Sequence, residues 1–415
     1  MNFPLPADVL DIIDKYEKNG YAAHIVGGPV RDFLLGITPH DFDLTTDATP
    51  EETKALFEGE RLIETGIRHG TLTLLKSSVP YEITTYRIDG EYLDGRHPEG
   101  VTFTRSLAED LARRDFTVNA MAYAPSSGVV DLFGGQEDLK GHILRAVGNP
   151  TKRFEEDALR ILRALRFRAR LGFRIEQETA KAIFSCAPLM LSLASERVMS
   201  EFSGILCGAF AEEVIAAYRA PLSVVLPELA DAFTGERLPL NAKCPIPEQA
   251  HTPCEEKSID FDSEELFFLR LLALARRASL SLDAYIGMCE RLHTSRHIRD
   301  DGERILSVLD REMCTEYDIL RLLSELGAPL SRIAIELFIH EGHADGEIRN
   351  KLARLLREGC AYRICDLRIK GSDLIPLGFR GQALGEALAR LLDAVMRGAV
   401  ENTPDALIRY IKKEN

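Results

Sequence analysis

The stretch IVGGPVRDFLLG, residues 25–36, followed by HDFDL, residues 40–44, decides the fold of this chain. Its apolar start predicts the end of a strand. Gly27 and Gly28 let the backbone approach a ligand without a Cβ in the way, and Pro29 suits the first position of a helix. The free N–H groups at such a helix start can hold a phosphate. The stretch therefore predicts a strand, a glycine turn, a short helix and a second strand around a phosphate-binding turn.

Two carboxylates follow the turn. Asp41 and Asp43 are two residues apart, so on an extended strand they point to the same face. Neighbouring carboxylates repel each other unless a cation lies between them, and Mg²⁺ is the usual cation in phosphate chemistry. The alternating run 81–87 predicts a strand on which Glu82 could lie beside this pair as a third catalytic carboxylate. The alternative is that Glu82 is an ordinary solvated strand residue.

In this order and spacing, the glycine turn and the aspartate pair resemble the active-site signature of the DNA polymerase β-like nucleotidyltransferases. With Arg31-Asp32 and Gly36 included, the string is similar to the class II tRNA nucleotidyltransferases and bacterial poly(A) polymerases. This resemblance implies transfer of a nucleoside monophosphate from CTP or ATP to an RNA 3′-hydroxyl. Two Mg²⁺ ions would be held by Asp41 and Asp43, and Gly28 and Arg31 would belong to the nucleotide site.

Length and composition set outer bounds on the protein. At 415 residues the chain has room for two to four domains. No apolar run approaches the ~20 residues of a membrane span, and eight cysteines without a C-x-x-C pair are typical of reduced thiols. We therefore expect a cytoplasmic protein that needs no membrane. A net charge of −14 taken alone argues against a nucleic-acid partner, and DNA is not expected.

Basic residues are nevertheless concentrated in two places. Residues 109–120 read EDLARRDFTVNA, which is similar to the family's second motif and gives Arg114 the nucleotide-contacting position. Residues 152–174 hold eight arginines and lysines against three acids. Within that run, the segment EDALR, residues 156–160, resembles the family's base-selecting motif. The resemblance assigns nucleotide binding there to Asp157 and Arg160. We expect Arg163 and Arg166, which follow at intervals of three residues, to bind the nucleotide as well.

Asp157 and Arg160 suit the reading of a base. On one helix, residues three apart lie on adjoining faces and can reach one ligand together. Cytosine and adenine both present an amino donor beside a ring-nitrogen acceptor, which match a carboxylate and a guanidinium. Uracil and guanine present the opposite pattern and would leave polar groups unpaired. The alternative interpretation is a weak intrahelical ion pair between these two residues, worth ~0.3 kcal/mol.

The family resemblance and a change from strand-like to helical sequence at residues 149–150 together predict the architecture. We expect an α/β nucleotidyltransferase head with a mixed sheet, followed by an elongated all-α neck, body and tail. The expected bounds are 1–148 for the head, 149–205 for the base-selecting neck, 206–310 for a diverged body and 311–415 for a tail that contacts tRNA.

The breaker-rich segment 89–98 resembles the flexible loop of CCA-adding enzymes, so template-independent addition of C, C and A to tRNA is the predicted function. A CC-only enzyme or a poly(A) polymerase would share the same catalytic head. Two other classes stay open: an RNA-binding protein with a silent active site, and a small-molecule adenylyltransferase. The intact aspartates and arginines argue against the first, and the basic neck argues against the second.

Overall fold

The computed structural model describes residues 3–39, 41–90, 100–240 and 261–414, and it groups the chain into two compact units, Met1–Ile259 and Asp260–Asn415. The boundary between the units falls inside the segment predicted as the body. The predicted division into four parts therefore stays a prediction. In the described ranges, no helix is both long enough and apolar enough to cross a bilayer.

The first unit contains a mixed β-sheet. Its described strands follow the order β3-β4-β5-β2-β1-β8-β9, with β2 and β5 parallel and the other neighbours antiparallel. A ribbon of β6 and β7 and a parallel pair of β10 and β11 are separate. The strand bounds are β1 Ala23–Val26, β2 Asp43–Thr46, β3 Arg61–Ile63, β4 Thr71–Lys76, β5 Val79–Thr85, β6 Arg87–Asp89, β7 Val101–Phe103, β8 Met121–Ala124, β9 Gly128–Asp131, β10 Ile143–Leu144 and β11 Arg174–Ile175.

Five helices accompany these strands in the described part of the head: α1 Ala7–Lys18, α2 Gly28–Leu34, α3 Pro50–Leu56, α4 Leu107–Ala112 and α5 Gly135–Lys140. Helix α1 buries Val9, Ile12, Ile13 and Tyr16, which recur at helical spacing. Helix α3 begins with the capping box that its sequence predicts, in which Thr49 and Glu52 satisfy each other's backbone N–H groups. The α/β head predicted from the sequence is confirmed.

Helices dominate the rest of the first unit. Their bounds are α6 Pro150–Glu156, α7 Leu159–Leu171, α8 Gln177–Cys186, α9 Ser195–Leu206, α10 Ala211–Ala217 and α11 Arg219–Val225. The two-residue strand β11 is the exception to an all-α neck. It pairs in parallel with β10, where Leu144 faces Ile175, and so joins the head to the helices.

The second unit is helical. Its bounds are α12 Ser263–Arg277, α13 Leu282–Arg291, α14 Gly302–Leu306, α15 Glu316–His340, α16 Glu347–Glu358, α17 Gly371–Leu374, α18 Gln382–Met396 and α19 Pro404–Glu414. Gly327, at φ +77°, interrupts α15, and Pro329 follows it. A core that includes Leu374, Leu391 and Leu407 joins the last three helices. The helical architecture predicted for the C-terminal part is confirmed.

Candidate active site

The glycine turn connects β1 to α2. Gly27 has a φ of +79°, which side chains rarely adopt, and a Cβ there would lie 3.2 Å from Nη1 of Arg114. Gly28 has no positive φ, and a Cβ there would meet Nη2 of Arg31 at an ordinary 3.7 Å. The conformation of the turn therefore requires glycine at position 27, and the close approach of Arg114 depends on it. A nucleotide-binding role for Gly28 stays a prediction.

Two of the three predicted catalytic carboxylates lie on neighbouring strands. In the parallel pairing of β2 with β5, Asp43 is directly opposite Glu82. Strand β2 begins at Asp43, so Asp41 lies just before the strand rather than within it. All three residues are exposed to solvent. The structure thus brings Glu82 beside Asp43, as the alternating pattern suggested, and keeps both open to a ligand.

The charges around Asp43 change its protonation. Loss of hydration among the surrounding atoms raises the pKa of the Asp43 carboxyl, the carboxylates of Glu82 and Asp41 raise it further, and the Arg114 guanidinium lowers it. The net direction is upward. The ionised form of Asp43 is therefore disfavoured unless a cation is supplied.

The carboxylates of Asp41, Asp43 and Glu82 offer the oxygen ligands that Mg²⁺ prefers. Among the described residues, no three His, Cys, Asp or Glu side chains form a complete metal-ligand set. Mg²⁺ characteristically keeps several waters and takes one or two carboxylates together with substrate phosphates. The exposed, mutually repelling carboxylates of Asp41 and Asp43 fit that mode, in which the nucleotide would complete the coordination.

Arg114 faces the same turn. Its Nη2 lies 3.4 Å from Oδ2 of Asp110, and its buried Nε has no hydrogen-bond acceptor among the described residues. Burial lowers the pKa of this arginine, although Asp110 opposes that shift. A guanidinium with spare donors beside a glycine turn can bind phosphate or ribose oxygens.

Arg31 occupies a different environment from Arg114. It is 4% exposed, and its guanidinium donates to Asp32 at 2.8 Å and to Oδ1 of Asn119 at 2.8 Å. It also lies over the ring of Phe167 at 5.2 Å. The structure therefore places Arg31 in a buried network that joins α2 to α7. Its predicted contact with the nucleotide is untested.

Asp157 is not on the same helix as Arg160, so the predicted helical spacing between these two is wrong. Asp157 lies in the break between α6 and α7 with an extended backbone, φ −148° and ψ 106°. Its Oδ1 accepts the N–H of Leu159 at 3.0 Å, and its Oδ2 accepts from Nη2 of Arg197 at 2.7 Å. Aspartate favours this conformation because its carboxylate satisfies the free N–H groups at a helix start.

Arg160 is bound instead to the preceding turn and to the head. Its Nη1 donates to Glu156 at 2.5 Å, so Arg160 forms an ion pair with the last residue of α6 and not with Asp157. Its Nη2 donates to the carbonyl oxygen of Arg113 at 3.2 Å. Arg160 therefore bridges the neck to the arginine motif of the head.

Arg163 and Arg166 flank the ring of Phe167 at 5.5 and 5.1 Å. Arg163 donates to Asp115, and this pairing lowers the pKa of Asp115 despite its burial and raises that of Arg163. Nε of Arg166 lies 2.9 Å from Glu201, a buried acid whose pKa is raised by burial. Both arginines are one-third exposed, so they can still reach a ligand.

Several residues that hold the site were missed by the sequence reasoning: Asp110, Arg113, Asp115, Arg197 and Glu201. A weak signal was present for Asp110, Arg113 and Asp115, because they belong to the segment 109–120 that resembles a family motif. Spacing could not identify their partners, since Arg197 and Asp157 are 40 residues apart.

The proposed flexible loop, residues 89–98, lies mostly outside the described residues. Strands β6 and β7 flank it.

Two family models match this chain. "Poly A polymerase head domain" matches residues 23–145, and "Probable RNA and SrmB- binding site of polymerase A" matches residues 172–233. The CCA-adding enzyme of Leuconostoc mesenteroides is 34% identical over 415 residues, which cover 99% of this chain and 97% of that protein. The CCA-adding enzyme of Lacticaseibacillus paracasei is 50% identical over 199 residues, which cover 48% of this chain and 50% of that protein.

Solved structures are similar over the whole chain. The crystal structure of the Bacillus stearothermophilus CCA-adding enzyme in complex with CTP matches with a TM-score of 0.81 and 30% identity, covering 100% of this chain and 98% of that chain. The Thermotoga maritima CCA-adding enzyme complexed with tRNA_CCA matches with a TM-score of 0.65 and 22% identity, covering 99% and 97%. At that lower identity the likeness shows the fold alone.

Proposed function

The chain belongs to the family of CCA-adding enzymes, and from this premise we propose that it adds C, C and A to the 3′ end of tRNA, using CTP and ATP without a nucleic-acid template. Three structural features that occur together at this site support the proposal. Asp43 lies opposite Glu82, the positive charge of Arg114 partly opposes the rise in the pKa of Asp43 that burial and Glu82 cause, and the same arginine lies against Gly27 of the turn. A carboxylate pair and a cationic phosphate clamp are the parts that nucleotidyl transfer needs.

Asp41 and Asp43 are the residues that would hold Mg²⁺. When bound there, two Mg²⁺ ions would lower the pKa of the attacking RNA hydroxyl and neutralise the leaving pyrophosphate. Glu82 adds negative charge beside Asp43 and so strengthens the attraction for a cation. The backbone of the turn at Gly27 and Gly28 leaves room for the triphosphate, and Arg114 donates to its oxygens.

Base selection is proposed for Asp157 and Arg160. Leu159 and Arg197 fix the direction of the Asp157 carboxylate, and Glu156 and the Arg113 carbonyl fix that of Arg160. Each carboxylate oxygen has two lone pairs, so Asp157 can accept one more hydrogen bond from a base amino group. A fixed acceptor beside a fixed donor would match cytosine and adenine and reject uracil and guanine.

Arg31, Arg163 and Arg166 are also proposed to belong to the nucleotide site. The arginine-rich neck and the tail are each proposed to contact tRNA through its A-form shape and phosphates, which needs little reading of sequence. The four segments 1–148, 149–205, 206–310 and 311–415 are proposed as head, neck, body and tail. The cytoplasm is the proposed compartment.

The test is incubation of the protein with tRNA that lacks its 3′ end, CTP, ATP and Mg²⁺, followed by sequencing of the product. We expect the product to end in CCA. A product ending in CC would identify a CC-only enzyme, and a run of A would identify a poly(A) polymerase. Binding of tRNA without any extension would identify a silent RNA-binding protein. Each of these results would overturn the proposal.

A further inference from the structure

Asp110, on helix α4, is a carboxylate with no exposed surface, and the proposed mechanism does not use it. Arg113 donates to its Oδ1 from Nε and Nη2 at 3.0 and 2.8 Å. Thr45 Oγ1 and Arg114 Nη2 approach its Oδ2 at 3.3 and 3.4 Å. The backbone N–H of Arg87, at the start of β6, also hydrogen-bonds to this carboxylate. Three segments of the head therefore meet at one buried anion.

The carboxylate of Asp110 is ionised in this environment. Burial raises its pKa, but Arg113, Arg114 and the hydrogen bonds outweigh that effect and lower it. A buried ion pair contributes little net stability, because desolvation offsets the attraction between the charges. Removing one partner is costly, however, since it leaves the others buried without a counter-charge. Such an anion fixes the geometry of its partners more than it stabilises the fold.

Three partners of Asp110 belong to, or directly contact, a part of the proposed site. Thr45 lies on β2, two residues after Asp43. Arg114 lies against the glycine turn. The carbonyl oxygen of Arg113 accepts a hydrogen bond from Arg160, which belongs to the proposed base-selecting pair. The metal-binding strand, the phosphate clamp and the base-reading arginine are thus joined through this carboxylate.

We propose that Asp110 is a positioning residue that places Arg114 and, through Arg113, Arg160 relative to Asp43 on β2. Asp110 touches no substrate. It fixes the distance between the point where the triphosphate is held and the point where the base is read. This inference rests on the proposed function of the same site and adds to it a residue that controls nucleotide affinity.

The test compares Asp110→Asn with the unaltered protein. Asparagine keeps the size of the side chain but removes the charge that holds both arginines. Because hydrogen bonds to charged groups contribute ~1.5–3 kcal/mol, we expect the Kd for CTP, measured by equilibrium binding without tRNA, to rise by about 10-fold or more. KM for CTP and ATP should rise in parallel. The kcat at saturating nucleotide and the affinity for tRNA should change by less than about threefold.

Glu336→Gln is the matched control. Glu336 is 2% exposed and accepts from Arg349 at 2.7 and 2.6 Å, but it lies in the other unit of the chain. Both variants lose a buried charge that is paired with arginine, so both should unfold at a lower temperature. The control should keep the CTP affinity of the unaltered protein. Loss of CTP affinity in both variants would mean a general effect of destabilisation and would overturn the proposal.

A milder variant keeps the test decisive if Asp110→Asn does not fold. Thr45→Val removes one donor to Asp110 with little change in volume. We expect it to raise the Kd for CTP by about threefold to fivefold, a smaller effect than in Asp110→Asn, because the bond that is lost is a long one of 3.3 Å and both arginines keep their counter-charge. Unchanged CTP affinity in a folded Asp110 variant, or in Thr45→Val if the former does not fold, would overturn the inference. A failure of the unaltered protein to bind CTP at all would instead overturn the proposed function.

Discussion

The carboxylates of the head and the arginines of the neck show opposite arrangements of charge. Asp41, Asp43 and Glu82 are exposed, and among the residues that the structure describes they form no ion pair. Arg160 and Arg163 are each already paired with a carboxylate of the protein, Glu156 and Asp115. The head therefore leaves its negative charges for a ligand to neutralise, whereas the neck neutralises its positive charges in advance.

This difference indicates two ways of preparing a site. A metal site that the substrate completes must keep its ligands open, and it accepts repulsion between them as the cost of binding a cation. A site that reads a base must hold its donors and acceptors in fixed directions, because specificity depends on the penalty of a mismatch. Paired side chains on helices supply that rigidity. Substitutions in the head should therefore lower the rate of nucleotide transfer, whereas substitutions in the neck should lower the discrimination between nucleotides.

The largest effect is expected at the open carboxylates. Asp41→Asn and Asp43→Asn should each lower the rate of nucleotide transfer by about 1,000-fold or more, because each removes a charge that would hold Mg²⁺ at the reacting phosphate. The affinity for tRNA should stay within about twofold. Rates of CMP incorporation and filter binding of tRNA measure these two quantities.

Asp14→Asn is the control for these substitutions. Asp14 is an exposed head carboxylate that pairs with Lys18, so this variant makes the same change of charge away from the proposed metal site. Its activity should be unchanged. Retention of more than a few per cent of activity in both Asp41→Asn and Asp43→Asn would remove these residues from the metal site.

A smaller effect on nucleotide discrimination is expected at the proposed base-selecting pair, Asp157 and Arg160. Asp157→Ala removes the acceptor for the base amino group, so discrimination of CTP against UTP should fall by about 10-fold or more. Arg197→Gln leaves Asp157 in place but loosens its direction, and we expect a loss of about threefold to 10-fold. The ratio of kcat/KM for CTP to that for UTP measures both effects.

These two variants also separate structure from specificity. If Asp157 only caps α7, Asp157→Ala would lower thermal stability and leave the nucleotide ratio unchanged. Asp157→Asn is informative in the same way, because an amide can still cap the helix but presents a mixed donor and acceptor to the base. Full discrimination in Asp157→Asn would contradict a role of the carboxylate in base reading.

The contrast between the two regions also marks what the sequence could predict. Helix caps and strand alternation are local, so the capping box at Thr49 and the strand that carries Glu82 were predictable. The adjacency of Glu82 and Asp43 required one further assumption, that the two strands are neighbours. The local pattern could not supply that assumption, and the parallel register of β2 and β5 shows that the two strands are neighbours.

The partners of the arginines could not be predicted, because they depend on tertiary contacts between distant segments. Arg163 pairs with Asp115 across 48 residues, and Arg160 reaches the carbonyl of Arg113 across 47. A run of arginines on a helix predicts a basic surface equally well. The break at Asp157 was also missed, since an aspartate within an apolar helical pattern can either continue the helix or cap a new one.

A modest effect is expected for tRNA binding, and it distinguishes two arginines of α7. Arg170 is exposed, whereas Arg168 donates to the carbonyl of Phe173 and lies over the ring of Tyr218. If Arg170 contacts a phosphate, Arg170→Ala should reduce the slope of log Kd for tRNA against log salt by about 1. Arg168→Ala should mainly lower thermal stability. Equal slopes in Arg170→Ala and the unaltered protein would place the RNA elsewhere.

The smallest effect concerns the stability of the open site itself. Because the pKa of Asp43 in the folded protein lies above its ordinary value of 3.8, folding disfavours the ionised carboxyl. Below pH ~3.8 the carboxyl is protonated in both states and carries no penalty. As pH rises through the raised folded pKa, the native state loses stability, and the penalty is complete at neutral pH.

The substitution Asp43→Asn avoids this penalty. Without metal, the inactive variant should therefore unfold at a temperature higher by about 1–2 °C at pH 7, a small value because the carboxyl is exposed and its interactions are screened. The difference should shrink as pH is lowered toward 4. Millimolar Mg²⁺ should shrink it at pH 7, since a bound cation stabilises the protein that keeps Asp43. A difference in unfolding temperature that depends on neither pH nor Mg²⁺ would show that Asp43 is not destabilised by the neighbouring carboxylates. The carboxylates of the head would then not differ from the paired arginines of the neck in the way described above.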